Sequence, residues 1–171
     1  DVYKRHGLMA LQQGRAEQAK QMFTQCVSAM AGNSQAWLGL AFAESQLQQW
    51  QLAIDAVDKV LHLEPKNIRA LIFKADQLVN MGQERKALTF FDGALQLAAS
   101  QSNLPGDIQT GLVRAKQLQD KYNKEYEDYL LRAMQDKGYE RGISARFDES
   151  LDISFGKSPI YLQEPTRFYF P

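Results

Sequence analysis

Ala19, Ala53 and Ala87 recur with a 34-residue period, and Phe23, Val57 and Phe91 keep the same interval. No other feature constrains the fold so strongly. A period of this length marks one supersecondary unit stacked on its copies, each burying its apolar face against the next. Two helices per unit follow from where small and large residues fall. The first helices cross their partners at Gly7, Ala41 and Ala75, the second at Ala19, Ala53 and Ala87. Small side chains there let helix axes approach to the lower end of the roughly 8–10 Å packing range. Tyr3, Trp37 and Leu71, with Phe23, Val57 and Phe91, are expected to fill the core. Gly14 and Gly82 mark the turns between the helices, and Gln48 takes that place in the middle unit. Glu64-Pro65 closes the second helix of that unit, because proline disfavours helix at the residue before it. Cys26 shares its register position with Val60 and Ala94, which makes it a buried, inert thiol.

These residues resemble tetratricopeptide repeats. The middle copy carries Trp37, Leu40, Ala41, Ala53 and Pro65 at the family's spacing; the family's tyrosine of the first helix is replaced by Ala10, Glu44 and Leu78. The resemblance covers about residues 1–99. It implies an all-α, right-handed superhelix of three helix-turn-helix repeats whose first helices line a concave surface. The usual groove positions then fall on Lys4, Leu8, Leu11 and Gln12, on Leu38, Phe42, Ser45 and Gln46, and on Arg69, Ile72, Asp76, Val79 and Asn80. Of these, Lys4, Leu8, Leu38, Phe42, Gln46, Arg69, Ile72 and Asp76 form the expected partner-binding groove. Clamps of this family that hold C-terminal carboxylates use lysine, arginine and asparagine at set places. Only Lys4 agrees; Leu8 stands where asparagine is expected, and Gly39 and Phe73 where polar residues are expected. The resemblance therefore implies an apolar groove for a protein or peptide, covered either by a partner or by the chain's own C-terminal tail.

Residues 98–106, Ala-Ala-Ser-Gln-Ser-Asn-Leu-Pro-Gly, read as a loop, and Asp107 as the N-cap of a further helix. A fourth repeat fails, since Lys121 would occupy the small crossing position. Ile108, Leu112, Ala115, Gln119, Tyr122, Tyr126, Tyr129 and Ala133 instead recur at helical spacing. From Asp107 to about Lys137 they predict one helix of roughly 45 Å, ended by Gly138, over residues 100–138. Its first part is expected to cap the solenoid. Lys121 with Glu125, Lys124 with Asp128, and Asp128 with Arg132 stand four apart, as on any solvated helix face.

Residues 139–171 lose the helical period but keep isolated large apolar groups, among them Phe147, Phe155, Tyr161 and Phe168-Tyr169-Phe170. They read as an extended, ordered linker. Residues 158–171 resemble the approach to the catalytic domain of bacterial aspartyl/asparaginyl β-hydroxylase-like proteins. That resemblance implies an iron(II)- and 2-oxoglutarate-dependent domain after residue 171, with repeats that recruit or scaffold for it. Opening on Asp1-Val2-Tyr3 inside a helical pattern, the chain reads as an excerpt of something longer.

Acidic and basic residues balance at 20 each, in every region as well as overall, so no face is expected to bind nucleic acid or anionic membrane. No apolar run reaches the roughly 18 residues of a membrane span. One cysteine allows no internal disulfide and fits a reducing, cytoplasmic setting. His6 and His62 lie in different repeats outside any metal-ligand spacing. Phe155-Gly156-Lys157-Ser158 ends like a phosphate-binding loop, but Leu151 stands where its first glycine is required. No catalytic residue, metal site or cofactor is expected within the chain. The sequence predicts a protein-interaction module, with membership of a hydroxylase and homo-oligomerisation as the alternatives.

Overall fold

Three Schellman-type turns, one in each repeat, set the course of the backbone. Gly14, Gln48 and Gly82 all adopt the left-handed conformation, at φ 75°, 59° and 77°. In each, the next N–H reaches back along the preceding helix: Arg15 to the Ala10 carbonyl at 2.8 Å, Gln49 to Glu44 at 2.9 Å, and Gln83 to Leu78 at 2.8 Å. This satisfies carbonyls that a helix end leaves open and turns the chain sharply into the second helix.

The computed structural model describes residues 2–136, which form seven helices and no strand. The helices are α1 (Val2–Gln12), α2 (Ala16–Ala29), α3 (Ser34–Gln46), α4 (Trp50–Leu63), α5 (Ile68–Asn80), α6 (Glu84–Ala98) and α7 (Gly106–Asp136). They pair as α1/α2, α3/α4 and α5/α6, the three predicted repeats. Between repeats the caps recur too. Asn33 accepts the Ala36 N–H at 3.2 Å, and Asn67, at the same place in the next unit, accepts that of Ala70 at 3.0 Å. Such N-caps contribute on the order of 1 kcal/mol each. α4 ends at Leu63, just before Glu64-Pro65, as proline requires.

The crossing residues Ala19, Ala41, Ala53, Ala75 and Ala87 are wholly buried, as are Phe23, Val57 and Val60. Cys26 is buried among them, and burial pushes its thiol pKa up. Phe23 is the tightest fit. A methyl group added to Gly7 would lie 2.8 Å from its ring, and one added to Gly39 would collide with it. The ring therefore occupies a slot between two glycines, one in its own repeat and one in the next. In the following repeat the sizes are exchanged: Val57 stands at the register of Phe23 and Phe73 at that of Gly39, both buried.

Three expectations change. Tyr3 is half exposed instead of core. Its register mate Trp37 is partly covered by the turn before α3, its indole N–H donating to the Ala31 carbonyl at 2.7 Å; Tyr3 has no described turn before it. Asp107 is not the N-cap but lies within the first turn of α7, where Pro105 supplies the first accepting carbonyl, to Gln109 at 3.0 Å. Tyr129, expected on the packed face of α7, is exposed.

Glu44 is the odd member of the core. It is 5% exposed, at the register of buried Ala10 and Leu78. Its Oε2 lies 3.9 Å from Lys20 Nζ, and its Oε1 has no hydrogen-bond partner. Burial raises its pKa above the ordinary carboxylate value, Lys20 pulling it partly back and Asp55 adding to the rise.

Two compact units divide the chain, Asp1–Ala115 and Lys116–Pro171. The first holds the repeats and the start of α7, where Ile108, Gly111 and Ala115 are buried. In the second, Lys116 pairs with Asp120 at 3.4 Å, Arg132 donates to the Asp128 carbonyl at 3.3 Å, and Tyr126 stacks on Tyr129 with centroids 6.4 Å apart. Gly138 and the expected linker, residues 139–171, lie outside the described residues.

Candidate functional site

The first helices of the repeats, α1, α3 and α5, carry the expected groove positions at successive turns of one face. Lys4 donates to Gln35 of α3 at 2.8 Å, and Ser45 to Gln77 of α5 at 2.9 Å. These bonds tie neighbouring groove helices side by side. Leu8 is 49% exposed, Leu38 and Phe42 are half-buried against the core, and Gln46 is exposed. Leu11 is half-buried, whereas Gln12, Val79 and Asn80 are exposed.

The third repeat differs, because α7 packs on its groove face. Arg69 forks onto Asp107, Nε to Oδ2 at 2.7 Å and Nη2 to Oδ1 at 3.1 Å. Arg114 does the same to Asp76, Nη2 to Oδ2 at 2.7 Å and Nε to Oδ1 at 3.1 Å. Between the two pairs Ile72 is buried under Gly111, where a methyl group would come within 2.6 Å of Ile72 Cγ2. The hydrogen bond from Arg69 holds the Asp107 carboxyl below its ordinary pKa and raises the guanidinium pKa in turn. Both pairs are bidentate, which adds geometric definition; being partly exposed to solvent, each contributes only about 0–1 kcal/mol.

What remains open is a depression of about 170 Å³ lined by Phe42, Arg69, Ile72, Phe73, Asp76, Asp107, Ile108 and Arg114. Its floor is aromatic and aliphatic, with Phe42 set edge-on to Phe73 at a centroid distance of 4.9 Å. The two ion pairs form its rim. For scale, a cavity of about 150 Å³ takes up a benzene ring, so this depression suits one large apolar side chain. The structure thus gathers Phe42, Arg69, Ile72 and Asp76 around one hollow and leaves Lys4, Leu8 and Leu38 along the strip leading to it.

Sequence reasoning missed Asp107, Ile108 and Arg114 as rim and floor residues, since they meet α5 from outside the 34-residue register. It also weighed Gly39 and Phe73 only as absent polar groups. Both are buried, and the exchange of bulk between Phe23/Gly39 and Val57/Phe73 was the available signal for that. Among the described residues no cluster of three or more histidine, cysteine, aspartate or glutamate side chains can hold a metal ion, and His6 and His62 are both exposed. No described helix is long and apolar enough to cross a membrane.

Comparison with known proteins follows the same architecture. Residues 10–62 match the family model described as tetratricopeptide repeat. Human sperm-associated antigen 1 is 34% identical over 84 residues, 49% of this chain and 9% of that protein. The chain thus spans only a small part of that relative. Among solved structures, the type III secretion translocator chaperone SycD of Yersinia enterocolitica superposes with a TM-score of 0.66 at 19% identity, over 71% of this chain and 84% of that one. The second tetratricopeptide domain of human RPAP3, in complex with an HSP70 peptide, gives 0.58 at 19% identity, over 67% and 92%. Residues 10–62 thus carry tetratricopeptide repeat sequence, and the helical solenoid is the fold the chain shares with these two solved structures.

Proposed function

We propose that this tetratricopeptide repeat domain is a protein-interaction module whose concave strip, from Lys4 and Leu8 through Leu38 and Phe42 to the hollow at Ile72, receives a segment of another protein. The observation that carries the reading is the hollow itself: an apolar floor left half open in a surface whose flanking charges are already paired. A concave site with an apolar floor and a few polar groups at its edge is the usual form of a binding pocket. The peptide complex of the RPAP3 domain supports the choice of a polypeptide ligand. Phe42→Ala and Leu38→Asp are expected to weaken binding of an authenticated partner at least tenfold, measured by calorimetry; unchanged affinity in both would remove the groove assignment. Arg69→Glu is a poorer test, because it would set a second carboxylate against Asp107.

The finer reading makes the groove a recruiting or scaffolding surface for an iron(II)/2-oxoglutarate-dependent hydroxylase domain, with the chain in the cytoplasm. It rests on residues 158–171, which lie outside the described residues, and no comparison supports it. The sequence of the parent protein beyond residue 171 tests it, by the presence of an H-x-D/E…H ligand set. Homo-oligomerisation is the remaining reading; light scattering of the chain with and without residues 139–171 tests it, and a monomer in both cases removes it.

A further inference from the structure

The first turns of α7 are held on the third repeat differently from every earlier joint. α2 packs closely on α3 and α4 on α5, but α6 makes no comparable approach to the first turns of α7. The connection is also longer. Residues 30–33 and 64–67 join the earlier repeats, whereas residues 99–105 lead into α7 and pass through Asn103 at φ 59°. What holds residues 106–115 down is Ile72 beneath Gly111 and the two ion pairs, Arg69–Asp107 and Asp76–Arg114.

These pairs fix position more than they bind. Arg69 and Asp76 stand seven residues apart on α5, and Asp107 and Arg114 seven apart on α7, two helical turns in each case. The order of the charges is reversed between the helices. A slip of two turns would therefore set Arg114 against Arg69, or Asp107 against Asp76. Sliding is blocked, and lifting off is left as the way this contact opens. Both pairs are partly exposed, so dissolved salt weakens them. Lifting would uncover Ile72, now 5% exposed, and remove Ile108 from one side of the hollow.

We propose that residues 106–115 form a salt-sensitive strap over the groove of the third repeat, and that a helix of a partner protein competes with it for Arg69, Ile72 and Asp76. The strap displays the pattern this ground accepts: a glycine over Ile72, an aspartate four residues before it and an arginine three after. The competing helix carries a small residue between an acidic and a basic one in that order. The competition rests on the groove reading above; the strap itself does not.

Two variants release the strap and leave α5 untouched: Gly111→Leu, which drives bulk into Ile72, and Asp107→Asn with Arg114→Gln, which removes both pairs. Hydrogen exchange of the whole chain, followed by mass spectrometry at low and high salt, reads the opening. Residues 106–115 are expected to exchange about three- to thirtyfold faster at high salt, the factor for losing two exposed ion pairs, while α3 and α4 keep their rates. The uncharged variant should exchange at the fast rate already at low salt. The binding probe is a labelled peptide of residues 104–118, stapled between positions 109 and 113, which are exposed. By fluorescence polarisation it should bind the released chains at least tenfold tighter than the wild type, and its own Gly111→Leu form should not bind. Exchange of residues 106–115 that ignores both salt and the loss of the pairs overturns the strap. Equal affinity of the peptide for wild-type and released chains overturns the competition. Should Gly111→Leu fail to fold, the uncharged variant decides both points. If the strap results hold while Phe42→Ala and Leu38→Asp leave partner affinity unchanged, the strap stands and the groove reading falls; the reverse pattern keeps the groove and removes the strap.

Discussion

Replacing Glu44 by leucine is expected to stabilise the chain by about 1–2 kcal/mol at neutral pH, an unusual direction for a core substitution. The third repeat shows that the position accepts the new side chain, since Leu78 occupies it at 6% exposure. The gain comes from removing a buried carboxylate oxygen without a partner, a penalty of about 1–3 kcal/mol. Against it stands the loss of Lys20 at 3.9 Å, a long pair worth at most about 1 kcal/mol; Lys20 keeps its 2.6 Å bond to Gln49. The pH dependence has a definite sign. Burial raises the carboxyl pKa in the folded chain above its ordinary value of 4.5. The folded state therefore holds this proton more tightly, and Glu44's contribution is best below about pH 4.5 and is lost as pH rises through the raised pKa. The difference between variant and wild type should be small near pH 4 and open towards pH 7, because every other carboxylate is common to both. Urea denaturation across pH 4–8 reads it, as would a rise in thermal midpoint of roughly 2–8 °C at pH 7. A variant less stable at pH 7, or a gap that does not change with pH, would refute the reasoning.

Gln48→Gly places glycine where Gly14 and Gly82 already stand and relieves a left-handed residue at φ 59°. It should stabilise by about 1 kcal/mol, seen as a higher denaturation midpoint with an unchanged slope. Gly39→Ala drives a methyl group into the Phe23 ring and should destabilise by about 1–3 kcal/mol. Adding Phe23→Val, the size found at Val57, should recover part of that loss, and a double-mutant cycle with no coupling would refute the slot.

The repeats were legible because their determinants are local and periodic. Small residues at Ala19, Ala53 and Ala87, the break at Glu64-Pro65 and the turn position shared by Gly14, Gln48 and Gly82 each act within one unit. What escaped was non-local. Asp107 has the composition of an N-cap, yet its carboxylate is drawn to Arg69 at the start of α5, and no local rule weighs a partner so distant in sequence. Arg69, Ile72 and Asp76 read as groove residues from their register, but whether α7 pairs with them or covers them depends on how that helix docks. Tyr3 shows the opposite failure: register alone predicts its bulk, while its burial depends on what neighbours it.

The Phe23 ring bears also on the order in which the array comes apart. In a stack where each repeat meets only its neighbours, cooperativity passes joint by joint. Phe23 is seated against Gly7 and Gly39 at once, so parting α2 from α3 removes one wall of the slot that holds the ring on α1. The first two repeats are thereby locked into one opening event, and hydrogen exchange along α1, α2 and α3 should report a single shared free energy rather than a gradient of fraying from the amino end.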